Sequence, residues 1–334
     1  MTTALVTGAS GFLGARIVAR LRADGVRVRA LVRPGRPSDA DERVEGDLRD
    51  ETVLARAVAG CDWVIHAGAR VSTTGPWEEF ESTNVQATEA IIRLAAAAGV
   101  TRVVHVSSLS VYAVSASGAT VTEESAYDDG GGERGFYARS KLAADKLART
   151  AMQQGAPVTI IRPGLLYGPG NKPPLARRAV ALGPLRLLLA SRDYLLPLAF
   201  VDNVADAIVL AAQCEVARGR AYTIVDVHAR QADYARLYRQ VGGQRWMAVY
   251  VPLRLLRLGL TVAERAAGLA GRRLPISRHQ VERTLRSATF VTFRAQHELG
   301  WQPRVPIDEA LQRSFAAAQT PPQTASTAPA QSLA

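Results

Sequence analysis

Residues 7–14 read T-G-A-S-G-F-L-G and place Gly8, Gly11 and Gly14 at a three-residue spacing. A short apolar run precedes them, and a helical pattern follows over residues 14–25. At such a junction the first glycine permits a tight turn, the second lets the backbone approach a phosphate, and the third lets the helix pack closely on the strand. The helix N-terminus adds free N–H groups and the positive end of its dipole. The stretch therefore predicts a phosphate-binding turn between a strand and a helix.

Short apolar runs alternate with helical patterns throughout the first half of the chain. The predicted strands are 3–8, 26–33, 43–48, 62–69, 102–110 and 157–164, and the predicted helices are 14–25, 51–60, 83–99 and 137–154. Strands separated by helices of this length form a parallel sheet with right-handed crossovers. The fold class is therefore α/β, a doubly wound parallel sheet of the Rossmann type, which binds ligands beyond the carboxyl ends of its strands.

The alternation changes after Pro163. A strand end runs into a helix over 199–213, and another strand is predicted at 219–226. We predict a dinucleotide-binding domain at 1–164 and a smaller C-terminal α/β substrate subdomain at 165–318, parts of which could return to the sheet. The last residues, 319–334, contain few core-forming side chains, which predicts a disordered tail.

Composition limits the kinds of partner. The chain has 334 residues, of which 48% are hydrophobic and 21% charged, and its formal net charge is +11. This charge could attract nucleic acid or anionic lipid, but no dense basic run with interleaved aromatic residues occurs. We therefore expect a small-molecule substrate, no nucleic-acid partner and no metal site. With only two cysteines and an N-terminus that reads as a strand, a cytoplasmic location is expected.

The residues after the second and third predicted strands bear on which dinucleotide binds. An acidic residue at the end of the second strand would bind a ribose 2′-hydroxyl. Here Val32 is followed by Arg33, and a guanidinium can pair with a 2′-phosphate. We therefore predict NADP(H) in preference to NAD(H), which stays an alternative. Asp47 is a candidate partner for the adenine amino group, and Leu48 could pack on the ring.

Tyr137 and Lys141 lie four residues apart in a predicted helix, so they share one face. Lys141 is one of three lysines in an arginine-rich chain. A neighbouring ammonium stabilises a phenolate and brings the tyrosine pKa closer to neutral pH, as proton transfer requires. Ser107, Ser108 and Ser110 follow the fifth predicted strand and offer a hydroxyl to complete such a site.

These motifs together resemble the extended short-chain dehydrogenase/reductases, the NAD-dependent epimerase/dehydratase superfamily, from about residue 3 to residue 315. The matching stretches are TGASGFLG (7–14), GDL (46–48), HAGA (66–69), TNVQAT (83–88), VSSLSVY (106–112), YARSK (137–141), RPGLLYGPG (162–170), FVDNVADA (200–207) and ELGWQP (298–303). The resemblance implies Ser108 as the catalytic serine, Tyr137 as acid/base and Lys141 as its modulator.

The glycine turn, the strand ends and the resemblance together define the expected cofactor contacts. In the resemblance, Asn84 lies near the active site, and Pro163 to Leu166 lie along the nicotinamide. The expected contacts are Gly8, Ser10, Gly11, Phe12, Leu13, Gly14, Arg33, Asp47, Leu48, His66, Ala67, Gly68, Asn84, Ser107, Tyr137, Lys141, Pro163, Leu165 and Leu166.

Departures from family patterns select a branch. Sugar-nucleotide dehydratases carry an acidic pair where this chain has Leu109 and Ser110, and epimerases usually carry an asparagine where it has Leu165. The Arg162-Pro163 pair and Arg33 look more like the branch of 3β-hydroxysteroid dehydrogenases and dihydroflavonol reductases. We therefore predict an NADP(H)-dependent oxidoreductase that interconverts a secondary alcohol and a ketone on a bulky, largely apolar substrate. A sugar-nucleotide epimerase and a non-catalytic cofactor-binding protein stay as alternatives.

Two further expectations concern surfaces. The segment 251–275 combines a polar stripe with an otherwise apolar helical pattern. It could be a helix packed on the subdomain, a lid over an apolar substrate, or a basic amphipathic face in peripheral contact with a membrane. The resemblance also implies a homodimer, in which the helices at 83–99 and 137–154 could build the interface.

Overall fold

The computed structural model describes most of the chain. The described residues are 1–72, 74–129, 135–171, 174–177, 179–251, 253–269 and 286–319. The segment 251–275 is therefore seen at 251 and 253–269, while 252 and 270–275 lie outside the described residues. Of the predicted tail 319–334, all but its first residue lies outside them.

The strands are numbered in chain order. They are β1 (Thr3–Thr7), β2 (Arg27–Val32), β3 (Glu42–Glu45), β4 (Trp63–His66), β5 (Arg102–Val106), β6 (Ala119–Val121), β7 (Val158–Pro163), β8 (Leu165–Tyr167), β9 (Ala179–Leu182), β10 (Leu185–Leu189), β11 (Leu195–Phe200), β12 (Ala221–Ile224), β13 (Val227–Arg230), β14 (Met247–Val251) and β15 (Ala288–Phe290).

The helices follow the same convention. They are α1 (Phe12–Ala23), α2 (Glu51–Val58), α3 (Trp77–Phe80), α4 (Ala87–Ala97), α5 (Phe136–Gln153), α6 (Val201–Gln213), α7 (Gln231–Val241), α8 (Leu253–Leu269), α9 (Phe293–Leu299) and α10 (Ile307–Gln319). A π-helical turn at Glu81–Gln86 joins α3 to α4. Within the described ranges, no helix is both long and apolar enough to cross a bilayer.

A seven-stranded sheet is the centre of the fold, in the order β12-β7-β5-β4-β1-β2-β3. Every neighbouring pair in it is parallel. Because both faces are covered by helices, the inner strands β1, β4, β5 and β7 are nearly continuous buried runs and not alternating ones. The predicted doubly wound α/β class is confirmed.

Helices cover the sheet in two layers. On one face, α1 and α6 bury Ile17 and Val204 against the strands. On the other face, α2, α4 and α5 bury Leu54, Ile91 and Ala148. Each large aliphatic side chain buried in this way stabilises the fold by about 1.5–3 kcal/mol. The helices at the two faces thereby hold the carboxyl ends of the strands in fixed register.

The order of the strands reverses beside β1. The chain proceeds from β1 outward to β2 and β3, then returns to β4 on the other side of β1. The turn after β1 and the segment after β4 therefore lie next to each other at the carboxyl edge. Such a reversal leaves a crevice in which open α/β sheets bind ligands.

The C-terminal half contributes to both the large sheet and smaller ones. β12 pairs with β7 at the edge of the seven-stranded sheet. Two three-stranded sheets, β13-β11-β8 and β14-β10-β9, carry much of the apolar core of this half, and β15 pairs with β6 in a two-stranded sheet. Asn203 joins these parts, because its side-chain amide donates to Asp226 Oδ2 at 2.9 Å and to Val305 O at 3.0 Å. The division into domains at 1–164 and 165–318 stays a prediction.

Three predicted strands are too long at their carboxyl ends. The strand predicted at 43–48 ends at Glu45, the one at 62–69 ends at His66, and the one at 102–110 ends at Val106. In the last case, Ser108 caps a 3-10 turn at Leu109–Val111 by accepting from Ser110 N. The residues beyond each strand end therefore leave the strand conformation within one or two positions and lie at the ligand edge.

Gly14 provides a test of close packing between α1 and β1. A Cβ at position 14 would lie 2.0 Å from Gly8 O and 2.9 Å from Ala9 Cα, and neither backbone atom can move away alone. Gly14→Ala should lower the free energy of unfolding by about 3 kcal/mol, measured by urea denaturation. Gly268→Ala in α8 is the control, because a Cβ there meets nothing within 4 Å. Equal denaturation midpoints for the two variants would contradict this account.

Candidate active site

The glycine turn after β1 brings three backbone segments together. Gly8 has φ +68°, a left-handed conformation that favours glycine. A Cβ on Gly8 would lie 2.7 Å from Gly68 Cα, so the turn and the segment after β4 can approach only without that side chain. Gly11 N donates to Gly8 O at 2.8 Å and begins α1 without any side chain to cap the helix. The first N–H groups of α1 therefore face this cradle, as an anion site requires.

A chain of hydrogen bonds holds this turn to the π-helical turn. Thr88 Oγ1 donates to Asn84 O at 2.7 Å and therefore accepts from His66 Nε2 at 3.0 Å. The other ring nitrogen of His66 then accepts from Thr7 Oγ1 at 2.8 Å, and that hydroxyl accepts from Gly68 N at 3.1 Å. The network assigns one tautomer to His66. It also fixes the distance between β1, β4 and the π-helical turn.

Two neighbouring histidines lie beneath the site in their neutral form. His66 and His105 are register partners on β4 and β5, with ring centroids 5.6 Å apart. Burial, the neighbouring histidine and Lys141 lower the pKa of His66 well below its usual value. Burial, Lys141 and Arg162 do the same to the pKa of His105. Neutral imidazoles add no further positive charge beside Lys141.

Asn84 clamps the π-helical turn to α5. Its Oδ1 accepts from Arg70 N at 2.7 Å, and its Nδ2 donates to Ser140 Oγ at 2.8 Å. Ser140 Oγ donates in turn to Tyr137 O at 2.9 Å. The side chain of Asn84 is buried and is used within the protein. Asn84 thus positions the first turn of α5, which carries Tyr137, and π-helical turns are frequent at functional sites.

The three serines after β5 have different surroundings. The hydroxyl of Ser107 is buried and donates to Asp145. Ser110 Oγ is also buried and makes no hydrogen bond with the described residues. Ser108 is half-buried, and its Oγ accepts from Ser110 N at 3.1 Å, which leaves its own O–H to donate elsewhere. Of the three, Ser108 has the hydroxyl best suited to meet a ligand at the strand ends.

Lys141 is buried under the same edge. It lies one turn after Tyr137 on α5, and its ammonium donates to Val106 O, the last carbonyl of β5, at 2.8 Å. Burial lowers the pKa of Lys141 to about 8, and the carboxylate of Asp145 opposes that change. A buried lysine with so low a pKa is typical of a functional site.

A buried ion pair supports this part of α5. Asp145 and Arg162 are both fully buried, and Arg162 makes two parallel hydrogen bonds to the carboxylate, Nε to Oδ2 at 2.9 Å and Nη2 to Oδ1 at 2.7 Å. Tyr127 donates to Asp145 at 2.6 Å, and Arg162 donates to Tyr112 OH at 2.7 Å. Burial and the Asp145 carboxylate raise the pKa of Tyr127 to about 12. Together with Ser107, these groups satisfy the carboxylate on all sides.

The predicted adenine end of the cofactor site lies at β2 and β3. Arg33 is exposed directly after β2 and lies close enough to Asp47 to contribute to its lowered pKa. The main cause of that lowering is Arg49, whose side chain donates to Asp47 at 2.8 and 2.9 Å. Asp47 is therefore paired within the protein. A Cβ on Gly68 would lie 2.6 Å from Leu48 Cδ1, so Leu48 contacts the segment after β4.

The remaining predicted contacts divide by exposure. Ser10 is exposed in the glycine turn, and Leu13 is buried in α1. Phe12 is half-buried and approaches Gly168, where a Cβ would lie 3.4 Å from its ring. Ala67, which follows β4, is half-buried, and Pro163 is buried at the end of β7. Leu165 and Leu166 are half-buried in β8, which is paired with β11.

Several residues of this arrangement escaped the sequence reasoning. Thr7, Thr88, Ser140 and Asp145 carry the hydrogen bonds that hold the candidate residues in place. The role of Asp145 could have been inferred from the sequence, because it lies four residues after Lys141 on the same helical face. The threonines had none, since their partners lie on distant strands.

Comparison with known proteins places this site in a family. A model of the NAD dependent epimerase/dehydratase family matches residues 4–225, and the chain belongs to that family. The chain is 30% identical over 331 residues to 2-alkyl-3-oxoalkanoate reductase of Shewanella oneidensis, a match that covers 93% of this chain and 84% of that protein. It is 29% identical to 3 beta-hydroxysteroid dehydrogenase/Delta 5-->4-isomerase of Mycobacterium tuberculosis, covering 92% of this chain and 88% of that one.

A solved structure agrees with this assignment. The crystal structure of gox2253 superimposes with a TM-score of 0.81 at 26% identity, over 95% of this chain and 98% of that one. The predicted resemblance to extended short-chain dehydrogenase/reductases is thus confirmed, and the chain is an oxidoreductase. The family's dependence on NAD agrees with the predicted class of cofactor.

The burial of Lys141 has a measurable consequence for stability. Its pKa falls from 10.5 to about 8, so holding the ammonium costs about 3 kcal/mol. Lys141→Met removes the charge and leaves Val106 O without its donor, and the net result at pH 7 should be a gain of about 1–2 kcal/mol in unfolding free energy. Urea denaturation of the protein without cofactor measures this gain.

The stability cost of burying the Lys141 ammonium depends on pH. The folded-state pKa lies below the unfolded one, so the cost is fully present below pH 8 and disappears as the pH rises toward 10.5. The advantage of Lys141→Met should therefore shrink between pH 7 and pH 10. Lys146→Met, on the same helix but exposed and paired with Asp129, is the control and should show no such trend. A constant difference across this window would refute the assigned burial of the charge.

Proposed function

We propose that the chain is an NADP(H)-dependent oxidoreductase that interconverts a secondary alcohol and a ketone on a bulky, largely apolar molecule. The observation that carries the proposal is the buried Lys141, one turn from Tyr137 and bonded to the end of the strand that precedes Ser108. An ammonium in that place serves proton transfer by a phenol and has no evident structural benefit, because burying it lowers stability.

The residues at the carboxyl edge fit a dinucleotide. The glycine turn is a cradle that a side chain at Gly8 would fill, and it ends at the uncapped start of α1. The backbone at Gly8 and Gly11 would hold the pyrophosphate, Gly14 would let α1 pack closely enough to present its first N–H groups, and Arg33 would hold a 2′-phosphate. When bound, the nicotinamide supplies or accepts the hydride.

Proton transfer to the substrate oxygen is carried out by Tyr137, with the help of Ser108 and Lys141. In the reducing direction, Tyr137 gives its phenolic proton to the substrate oxygen, and the Ser108 hydroxyl donates a hydrogen bond to the same oxygen. The ammonium of Lys141 stabilises the phenolate that remains until solvent returns the proton. The Lys141 ammonium has three N–H donors. One of them donates to Val106 O, and the other two remain for the phenolate and for ribose hydroxyls.

Apolar residues near the site favour an apolar substrate. Leu165 packs against the apolar core of the C-terminal half, in the position where an asparagine would contact a nucleotide sugar. The relatives from Shewanella oneidensis and Mycobacterium tuberculosis are named for a branched oxoalkanoate and for a steroid, both of which carry large apolar parts.

A substrate panel tests the reaction class. Purified protein is assayed with β-keto acids, steroid ketones and sugar nucleotides, each with NADPH and with NADH. Steady NADPH consumption with a ketone supports the reductase. Cofactor that stays bound through purification, with turnover of sugar nucleotides and no net consumption, would instead identify an epimerase.

Tyr137→Phe removes the proposed acid without changing the size of the ring. kcat should fall roughly 10²–10⁴-fold, because general acid catalysis contributes about that factor. The dissociation constant for NADPH should stay within about threefold of wild type, since the phenol acts on the reacting atoms. Tyr250→Phe, on β14 beside Arg192, is the matched control and should keep full activity. Full activity of Tyr137→Phe would remove the proposed mechanism.

Arg33→Asp tests the cofactor preference. Losing charge-assisted bonds to a 2′-phosphate should raise KM for NADPH roughly 10–100-fold, while KM for NADH stays the same or falls. Arg43→Asp is the control, because it makes the same charge change at an exposed position on β3. Steady-state kinetics with both cofactors give the measurement. An equal rise in KM for NADPH and in KM for NADH would show that Arg33 does not bind the 2′-phosphate.

A further inference from the structure

The helix α8 exposes an apolar stripe to solvent. Leu255, Leu258 and Val262 are 60%, 63% and 60% exposed, and their spacing of three and four residues places them on one face. Large aliphatic side chains exposed together in this way are unusual on a soluble surface and mark a contact site.

The stripe is not the face by which α8 packs on the protein. Leu256 contributes to the apolar core of the C-terminal half. Leu260, Ala263 and Ala267 are half-buried and follow it at helical spacing, so they form the inner face. Packing on the subdomain therefore explains the inner face, and among the described residues no apolar cluster covers the outer one.

Arginines border the exposed stripe. Arg254 and Arg265 are exposed and lie four and seven residues from Leu258, on the same side of the helix. Arg257 is also exposed, and Glu264 is the one acidic residue between 253 and 269. An apolar stripe beside a row of basic residues is the pattern of a helix that lies in the plane of a membrane surface.

The strand that precedes α8 also exposes apolar side chains. Met247 and Val249 alternate along β14 and point to the same side of their sheet, with exposures of 62% and 40%. Eleven large apolar side chains are exposed among the described residues, and five of them lie between Met247 and Val262, both included. The exposed apolar surface is thus concentrated in one part of the C-terminal half.

We propose that this surface, the outer face of α8, docks the protein on an anionic lipid bilayer. Leu255, Leu258 and Val262 would enter the headgroup boundary, and Arg254 and Arg265 would bind lipid phosphates. A second copy of the chain fits less well, because it would oppose arginine to arginine in a protein with a net charge of +11. An anionic leaflet neutralises the same charges, and each basic residue near it strengthens binding roughly fivefold.

Vesicle co-sedimentation of the full chain tests the docking. The vesicles are phosphatidylcholine alone, and phosphatidylcholine with about one third phosphatidylglycerol. We expect binding to the anionic vesicles, at least about tenfold weaker binding to the neutral ones, and loss of most binding when salt is raised from 0.1 to 0.5 M, since salt screens surface charges. Equal sedimentation with both kinds of vesicle, or none with either, would overturn the proposal.

Two sets of variants locate the contact. Leu258→Gln with Val262→Gln should weaken binding to anionic vesicles at least about tenfold, and Arg254→Gln with Arg265→Gln should do so at low salt only. The control is Val216→Gln with Phe293→Gln, two apolar residues exposed elsewhere at 46% and 66%. An equal loss in the control would show that the effect is not specific to α8.

A fluorescent probe and the oligomeric state complete the test. The emission of Val262→Trp is expected to shift to shorter wavelength when anionic vesicles are added, and to stay unchanged with neutral ones. Light scattering without lipid measures the mass of wild type and of Leu258→Gln with Val262→Gln. A halving of mass in that variant would show that a second copy covers the stripe and would overturn the lipid assignment.

Discussion

The buried ion pair between Asp145 and Arg162 is the interaction on which the candidate site depends. Asp145 follows Lys141 by one turn of α5, and Arg162 lies on β7, so their two parallel hydrogen bonds hold that helix against the sheet. A buried pair costs more in desolvation than it returns unless other groups complete its hydrogen bonds. Ser107 and Tyr127 do so here. The pair therefore fixes the orientation of α5, and with it the relation between Tyr137 and the strand ends.

Several features near this pair, at the proposed active site, lower the stability of the fold. Lys141 is held as a buried cation, and the histidines beneath it are kept neutral by burial. Gly8 adopts a left-handed turn so that two backbones can meet. Each feature makes the fold less stable or more restricted by itself, and the two helical layers offset these losses with apolar burial. Functional sites commonly show this exchange of stability for geometry.

Much of the fold could be predicted from local pattern. The apolar runs that became β1, β2, β4, β5 and β7 were recognisable because a strand buried on both faces must be apolar along its length. The carboxyl ends of the strands were predicted less accurately. Ser108 and Asp47 accept hydrogen bonds from nearby backbone N–H groups and so begin turns, which the apolar pattern of the sequence does not show. β12 forms the edge of the large sheet because it pairs with β7, which lies more than fifty residues earlier in the chain. Hydrophobic periodicity is local and does not indicate such a pairing.

The sequence by itself determined the class of fold, the glycine turn, and the candidates Ser108, Tyr137 and Lys141, because spacing along one helix or one turn is a local property. Only the tertiary structure decided that the Ser107 hydroxyl is bound to Asp145, that Asp47 is paired with Arg49, and that Thr7, His66 and Thr88 tie the loops together. It also decided which face of α8 is packed and which is exposed. These outcomes depend on contacts between segments far apart in the chain, and the free energy of such contacts exists only once the helices and strands have packed.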